Sequence, residues 1–119
     1  MKNDYYENLF LTVGCYSNNK RLYIGLETDE ELVEDVTINL SDVDLYFKDA
    51  VFLNANLTER LKDVLKKNKI LGDYYYTQQY NMGQYDCYTI NLDKLKEYDP
   101  KGYSEFERHN NLEDDYSVW

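Results

Sequence analysis

Histidine and proline each occur once in this chain, at His109 and Pro100, and cysteine twice, at Cys15 and Cys87. A lone histidine among asparagines offers no Ser-His or Cys-His pairing of the kind nucleophilic catalysis uses. The two cysteines lack Cys-x-x-Cys spacing and fall in predicted strands, so they read as reduced core thiols and place the chain in the cytoplasm. Five glycines form no Gly-x-Gly-x-x-Gly, no phosphate loop and no nucleophile elbow. No apolar run approaches the ~18 residues of a membrane span, and Met1-Lys2-Asn3-Asp4 is not followed by the apolar stretch of a secretory leader. The string Asp29-Glu30-Glu31 lacks the glycine and alternate spacing of a calcium loop. Together these absences predict a protein that is not an enzyme, with no catalytic residue, metal or cofactor.

Bases are also scarce, and unevenly so. The net charge is −10, and from Glu27 to Asp49 nine acids (Glu27, Asp29, Glu30, Glu31, Glu34, Asp35, Asp42, Asp44 and Asp49) face one base, Lys48. That stretch carries −8 and the remaining residues −2. Such a field repels nucleic acid and anionic membranes and attracts basic protein surfaces. A nucleic-acid reader interleaves aromatics with Lys and Arg. Here the one basic cluster, Lys66-Lys67-Asn68-Lys69, suits the C-terminal end of a helix dipole instead.

What the chain has in excess is tyrosine, fourteen in 119 residues. Tyrosine covers a sheet face while keeping its hydroxyl in water, and it favours contact surfaces.

The length and 43% hydrophobic content fit one domain over residues 1–119, with an ordered core from about 9 to 108 and a flexible tail from 109. Alternating runs predict strands over Leu9–Tyr16 and Arg21–Glu27, joined by a Ser17–Lys20 turn, with further strands over Val36–Leu40, Ala50–Leu53 and Tyr85–Leu92. Between them, Thr28–Asp35 reads as an acidic connector whose Thr-x-x-Glu opening caps one helical turn. Ser41–Phe47 alternates acids with apolar residues. Leu57, Leu61, Val64 and Leu65 make one apolar stripe, so a helix over Leu57–Asn68 is expected, capped by Asn56 with Glu59 and followed by Gly72. Asp73–Gln84 reads as a tyrosine-rich loop or irregular hairpin. Asp93 should cap a short helix to Tyr98, with a second helical piece over Gly102–Arg108. The expected class is α+β: an antiparallel sheet of four to five strands packed on one main amphipathic helix, with a short C-terminal helix.

The run Ile90-Asn91-Leu92-Asp93-Lys94-Leu95-Lys96-Glu97-Tyr98-Asp99-Pro100-Lys101-Gly102-Tyr103, with Ala50 to Asn56 upstream, resembles a bacterial family of small domains of unknown function. The resemblance covers roughly residues 9–105. Members of that family sit largely on phages and conjugative elements, and such elements benefit from blocking host defence.

Two readings follow. In the first, the chain is an acidic nucleic-acid mimic that inhibits a host CRISPR or restriction effector, a basic nuclease. Carboxylates of Glu27, Asp29, Glu30, Glu31, Glu34, Asp35, Asp42 and Asp44 stand in for phosphates, while Tyr74, Tyr75, Tyr76 and Tyr80 anchor the contact. Acidity that serves only solubility is the plainer account of the same charges. In the second, the chain is an accessory binding module or a small-molecule binder or enzyme, with a pocket lined by Tyr74, Tyr76, Tyr80 and Tyr88.

Overall fold

The computed structural model describes residues 1–110; the expected flexible tail lies, from 111 onward, outside the described residues. Two antiparallel sheets replace the single one expected. In the first, β1 (Phe10–Cys15), β2 (Leu22–Glu27) and β3 (Leu32–Asp35) lie in chain order. Next come β4 (Thr37–Ile38), β5 (Ala50–Leu53), helix α1 (Glu59–Lys67), and the long hairpin β6 (Leu71–Tyr80) and β7 (Gly83–Ile90). The second sheet has the order β4, β5, β7, β6. Helices α2 (Leu92–Tyr98) and α3 (Pro100–His109) complete the α+β fold.

The β1–β2 hairpin forms as its alternation dictates: Leu11 and Val13 face Leu26 and Ile24 across the ladder, all buried. The acidic connector is corrected, because Leu32–Asp35 is a third strand and not a helical turn. Thr28 does behave as a cap, its hydroxyl accepting from the Glu30 and Glu31 amides. However, the Thr28 amide donates to the Glu31 carbonyl, which closes a turn and returns the chain along β2. At Val36, whose amide donates to Ile24, the chain leaves the first sheet, so only Thr37–Ile38 of the expected strand pairs in the second.

One core takes side chains from both sheets and all three helices, including Ile24, Leu53, Leu61, Leu65, Leu95 and Phe106. The packing is therefore shared among helices and does not rest on one. A smaller core of Leu40, Ala50, Phe52 and Cys87 lies on the other face of the second sheet. It is roofed by Val43 and Leu45 from the 41–47 segment, which is a loop and not a strand. Cys15 is half-buried and Cys87 buried, and both are free.

Two expected N-caps are each displaced by two residues. Thr58, not Asn56, caps α1, its hydroxyl accepting the Leu61 amide at 3.2 Å, while Asn56 donates its own amide to Asn54. Helix α1 ends with Lys69 in the left-handed region (φ 62°) and Ile70 bonding back to Leu65, so Gly72 is free to enter β6. Asn91, not Asp93, caps α2. Buried Asn68 donates to the carbonyls of Lys2 and Val64 and accepts from the Lys2 amide and Tyr98 hydroxyl, which docks the first residues onto the ordered core expected from about residue 9.

Asp99 and Gly102 set the position of α3. One Asp99 carboxylate oxygen accepts the Gly102 amide at 3.1 Å, as an N-cap does, with Pro100 preorganised at the first helical position. The other accepts the Val13 amide of β1 at 2.8 Å. The helix approaches so closely that a Cβ at residue 102 would lie 2.1 Å from the Val13 carbonyl oxygen. Gly102→Ala is therefore expected to lower stability by about 1–3 kcal/mol, the usual cost of forced overpacking. Lys101→Ala, one residue away on the exposed side, should stay within ~0.5 kcal/mol of wild type. Equal denaturant midpoints for the two variants would refute the close-approach account.

Candidate protein-binding surface

The acids that are contiguous in sequence do not form one patch. Glu27, Asp29, Glu30 and Glu31 sit at the turn leaving β2, where Asp29 accepts from Asn8. The loop carrying Asp42 and Asp44 is tied to the other end of β2, through Asn19 to Asn39 and Arg21 to the carbonyls of Leu40 and Val43. Six residues of strand separate the ends, about 20 Å at ~3.4 Å per residue. Between them, Glu34 and Asp35 already serve the fold. Glu34 accepts from Asn54, and Asp35 accepts the Tyr23 hydroxyl at 2.6 Å.

The tyrosine stretch Tyr74–Tyr80, expected as a loop or irregular hairpin, is the first strand of an irregular hairpin, with two bulges before Tyr76. Tyr74 pairs with Tyr88 and Tyr76 with Cys87, so consecutive β7 residues send the two partners to opposite faces. Tyr74 and Tyr88 stack edge to face on the side of α1, where Lys66 approaches Tyr88. Tyr76 and Tyr80 lie on the other side, against Phe52 and Tyr85. The four tyrosines thus do not line a common pocket. A cavity of about 240 Å³ does open between Arg21, Leu45, Phe47 and Phe106. Its cations are already engaged, Arg21 with the 40–43 loop and Lys48 with the Asn110 carbonyl.

On the face of Tyr76, the sheet and the 41–47 loop build an acidic aromatic surface. Tyr46 is 79% exposed and Phe47 53%, with the Phe47 ring 5.6 Å from Tyr75. The Tyr46 hydroxyl reaches Asp44, and the Tyr80 hydroxyl donates to Asp42 at 3.3 Å. Asp42's charge is the main cause of an upward shift in the Tyr80 pKa, and burial pushes those of Tyr76 and Cys87 up. These groups stay protonated at neutral pH, as donors and not nucleophiles. Sequence reasoning left Tyr46 and Phe47 out of the site. The signal was present in a Tyr-Phe pair two residues after Asp44, in a segment whose alternation put Phe47 on the apolar side with Val43 and Leu45. Among the described residues, no three His, Cys, Asp or Glu side chains converge as metal ligands, and no helix is long and apolar enough to cross a membrane.

A family model described as a domain of unknown function (DUF4313) matches residues 10–110. The chain belongs to the DUF4313 family. No curated protein and no solved structure matches it. The matched span runs from the first residue of β1 to the cap that ends α3, so the DUF4313 unit here is the whole described fold after the docked N-terminal segment. The motif Ile90–Tyr103 acquires a structural meaning within this domain: it holds the end of β7, both helix caps and the close approach at Gly102.

On the outer face of the first sheet, the Tyr23 ring lies over Gly25, where a Cβ would meet it at 2.4 Å, and its hydroxyl donates to Asp35. Burial first, then the bond to Asp35, raise the Tyr23 pKa well above its ordinary 10.0. The folded domain keeps a proton that the unfolded chain releases near pH 10. This contribution to stability is therefore complete below pH 10 and is lost as pH rises beyond it. Tyr23→Phe should cost about 1 kcal/mol at neutral pH and flatten the fall in melting temperature above pH 10. Parallel wild-type and variant curves there would refute the assignment.

Proposed function

We propose that this DUF4313 protein is a non-enzymatic inhibitor carried by mobile elements, acting in the cytoplasm on a basic host CRISPR or restriction effector. What supports the reading best is the surface formed by Asp42, Asp44, Tyr46, Phe47 and Tyr75, where large aromatic side chains stand in solvent beside carboxylates. Buried aromatic anchors ringed by polar groups supply most of the energy of protein interfaces. Here the carboxylates take the place of phosphates in the effector's nucleic-acid groove, and the protein does not contact nucleic acid itself. Glu27, Asp29, Glu30 and Glu31 lie at the far end of β2 and act at longer range, steering association. An exposed pair of charges contributes only ~1 kcal/mol at 4 Å in water, so aromatic burial must provide the rest.

The test is cleavage by purified CRISPR and restriction effectors in the presence of the protein. Tyr46→Ala with Phe47→Ala should weaken inhibition by a hundredfold or more, at about 2 kcal/mol or more for each anchor. Glu30→Lys with Glu31→Lys should slow association and reduce its salt dependence while leaving the dissociation rate near wild type. Effectors that cut at full rate with the wild-type protein in excess would end the inhibitor reading. Inhibition lost only in the Glu30 and Glu31 variant would move the contact to the other end of β2.

A further inference from the structure

A sheet exposes unpaired N–H and C=O groups along its edges, and proteins guard these edges with short strands, charges or covering elements. Three of the four edges here are guarded. The Asp99 carboxylate and α3 close β1. β3 is four residues long with Glu34 and Asp35 on it, and Asn54 donates to the Asp35 carbonyl. β4 is two residues long, and its Thr37 hydroxyl takes the Ile24 amide.

The fourth edge, β6, is ten residues long and pairs only with β7. Its two bulges lie before Tyr76, and its one charge, Asp73, is near the start. From Tyr76 to Tyr80 the strand is regular, with no charge and no proline. The two-residue turn makes Tyr80 and Gly83 a hydrogen-bonded pair, so in an antiparallel ladder Thr77 and Gln79 point their backbone groups outward. The Gln79 carbonyl is accordingly met by the side chain of Gln78 and not by β7.

We infer that the β6 edge from Tyr76 to Tyr80 captures an extended basic segment of a partner protein as an additional strand. The inference rests on the docking surface proposed above, which continues onto β6 through Tyr75, Tyr76 and Tyr80. Charge selects the occupant. Neither β6 nor β7 contains Lys or Arg, while Asp73, Asp86 and Asp42 flank the open edge, Asp42 held by Tyr80 and Asp86 by Thr77. Tyr76 and Tyr80, which share one face, supply rings for arginine side chains placed at every second position along an added strand. A second copy of this chain would bring two charges of −10 together.

The probe is a short peptide alternating arginine with valine, with a glutamate–valine counterpart as control, titrated into the isotopically labelled full chain. Amide exchange is read residue by residue and mass by ultracentrifugation. The arginine peptide should slow exchange at Thr77 and Gln79 about tenfold or more, and the glutamate peptide should leave it unchanged. Gln79→Pro, which removes an outward donor and spares the β7 ladder, should weaken binding about tenfold with the fold retained. Should that variant unfold, the wild-type exchange pattern decides alone. Arginine-peptide binding that perturbs Tyr46, Phe47 and Asp42 but leaves Thr77 and Gln79 exchanging freely would overturn strand addition and spare the docking surface. No binding at all would overturn strand addition by a basic segment, while the cleavage assay would still judge the docking surface independently. Protection at Thr77 and Gln79 that appears without peptide, together with a doubled mass, would replace the basic partner with self-pairing.

Discussion

The Asp99 carboxylate joins two parts of the chain that are 86 residues apart in sequence. One oxygen ends the ladder of β1 by taking the Val13 amide, and the other begins α3 by taking the Gly102 amide. A neutral side chain of the same size would satisfy either group less well, because both bonds are donated to a charge. The geometry also requires a glycine three residues on, since the helix backbone lies against the strand with no room for a Cβ. Tyr103 and Phe106 then fall onto the core beside Leu11 and Val13. The Asp-Pro-x-Gly-Tyr sequence is thus a device for closing an edge, and its specificity as a motif is structural.

Closing that edge fixes where the molecule remains open. Unpaired strand and exposed aromatics coincide at one place, the β6 side of the second sheet and the loop beneath it. Phenylalanine in the same positions would leave apolar surface with no polar handle. Tyrosine allows a solvated resting state in which hydroxyls bond to Asp42, Asp44 and Thr77. Those bonds hold rings in place in the free protein, which would lower the ordering cost of the docking proposed above.

Local pattern was enough to read the β1–β2 hairpin and α1, because in both the apolar period is unbroken and the bounding residues suit it. It failed at Leu32–Asp35, where an edge strand sends Glu34 and Asp35 to opposite faces and leaves Leu32 exposed, so no alternation survives. The capping signature at Thr28 was real, but it closed a turn. In β6, two bulges destroy the period of two just where three tyrosines fall together, so the pattern left a loop and an irregular hairpin both open, and the structure is the irregular hairpin. The acidic surface was misread for a different reason. Nine acids in 23 residues look like one field, yet β2 places part of them at each end of a strand, and two more are used by Tyr23 and Asn54. Proximity along a chain carries little information about proximity in space once a hairpin intervenes.

Net charge alone would attract a basic protein in any orientation. The second sheet adds direction by separating charges of opposite sign. Five bases, Arg60, Lys62, Lys66, Lys67 and Lys69, outnumber two acids, Glu59 and Asp63, on α1 or its end, on the face where Tyr88 meets Lys66. Asp42 and Asp44 belong to the loop on the face of Phe52 and Cys87. Packed layers lie ~10 Å apart, about one screening length at 0.1 M salt, so a partner near one face feels that face more than the other. A basic partner of the kind proposed would be drawn to the loop side and turned away from α1, and would arrive where Tyr46, Phe47 and the free strand edge are presented together.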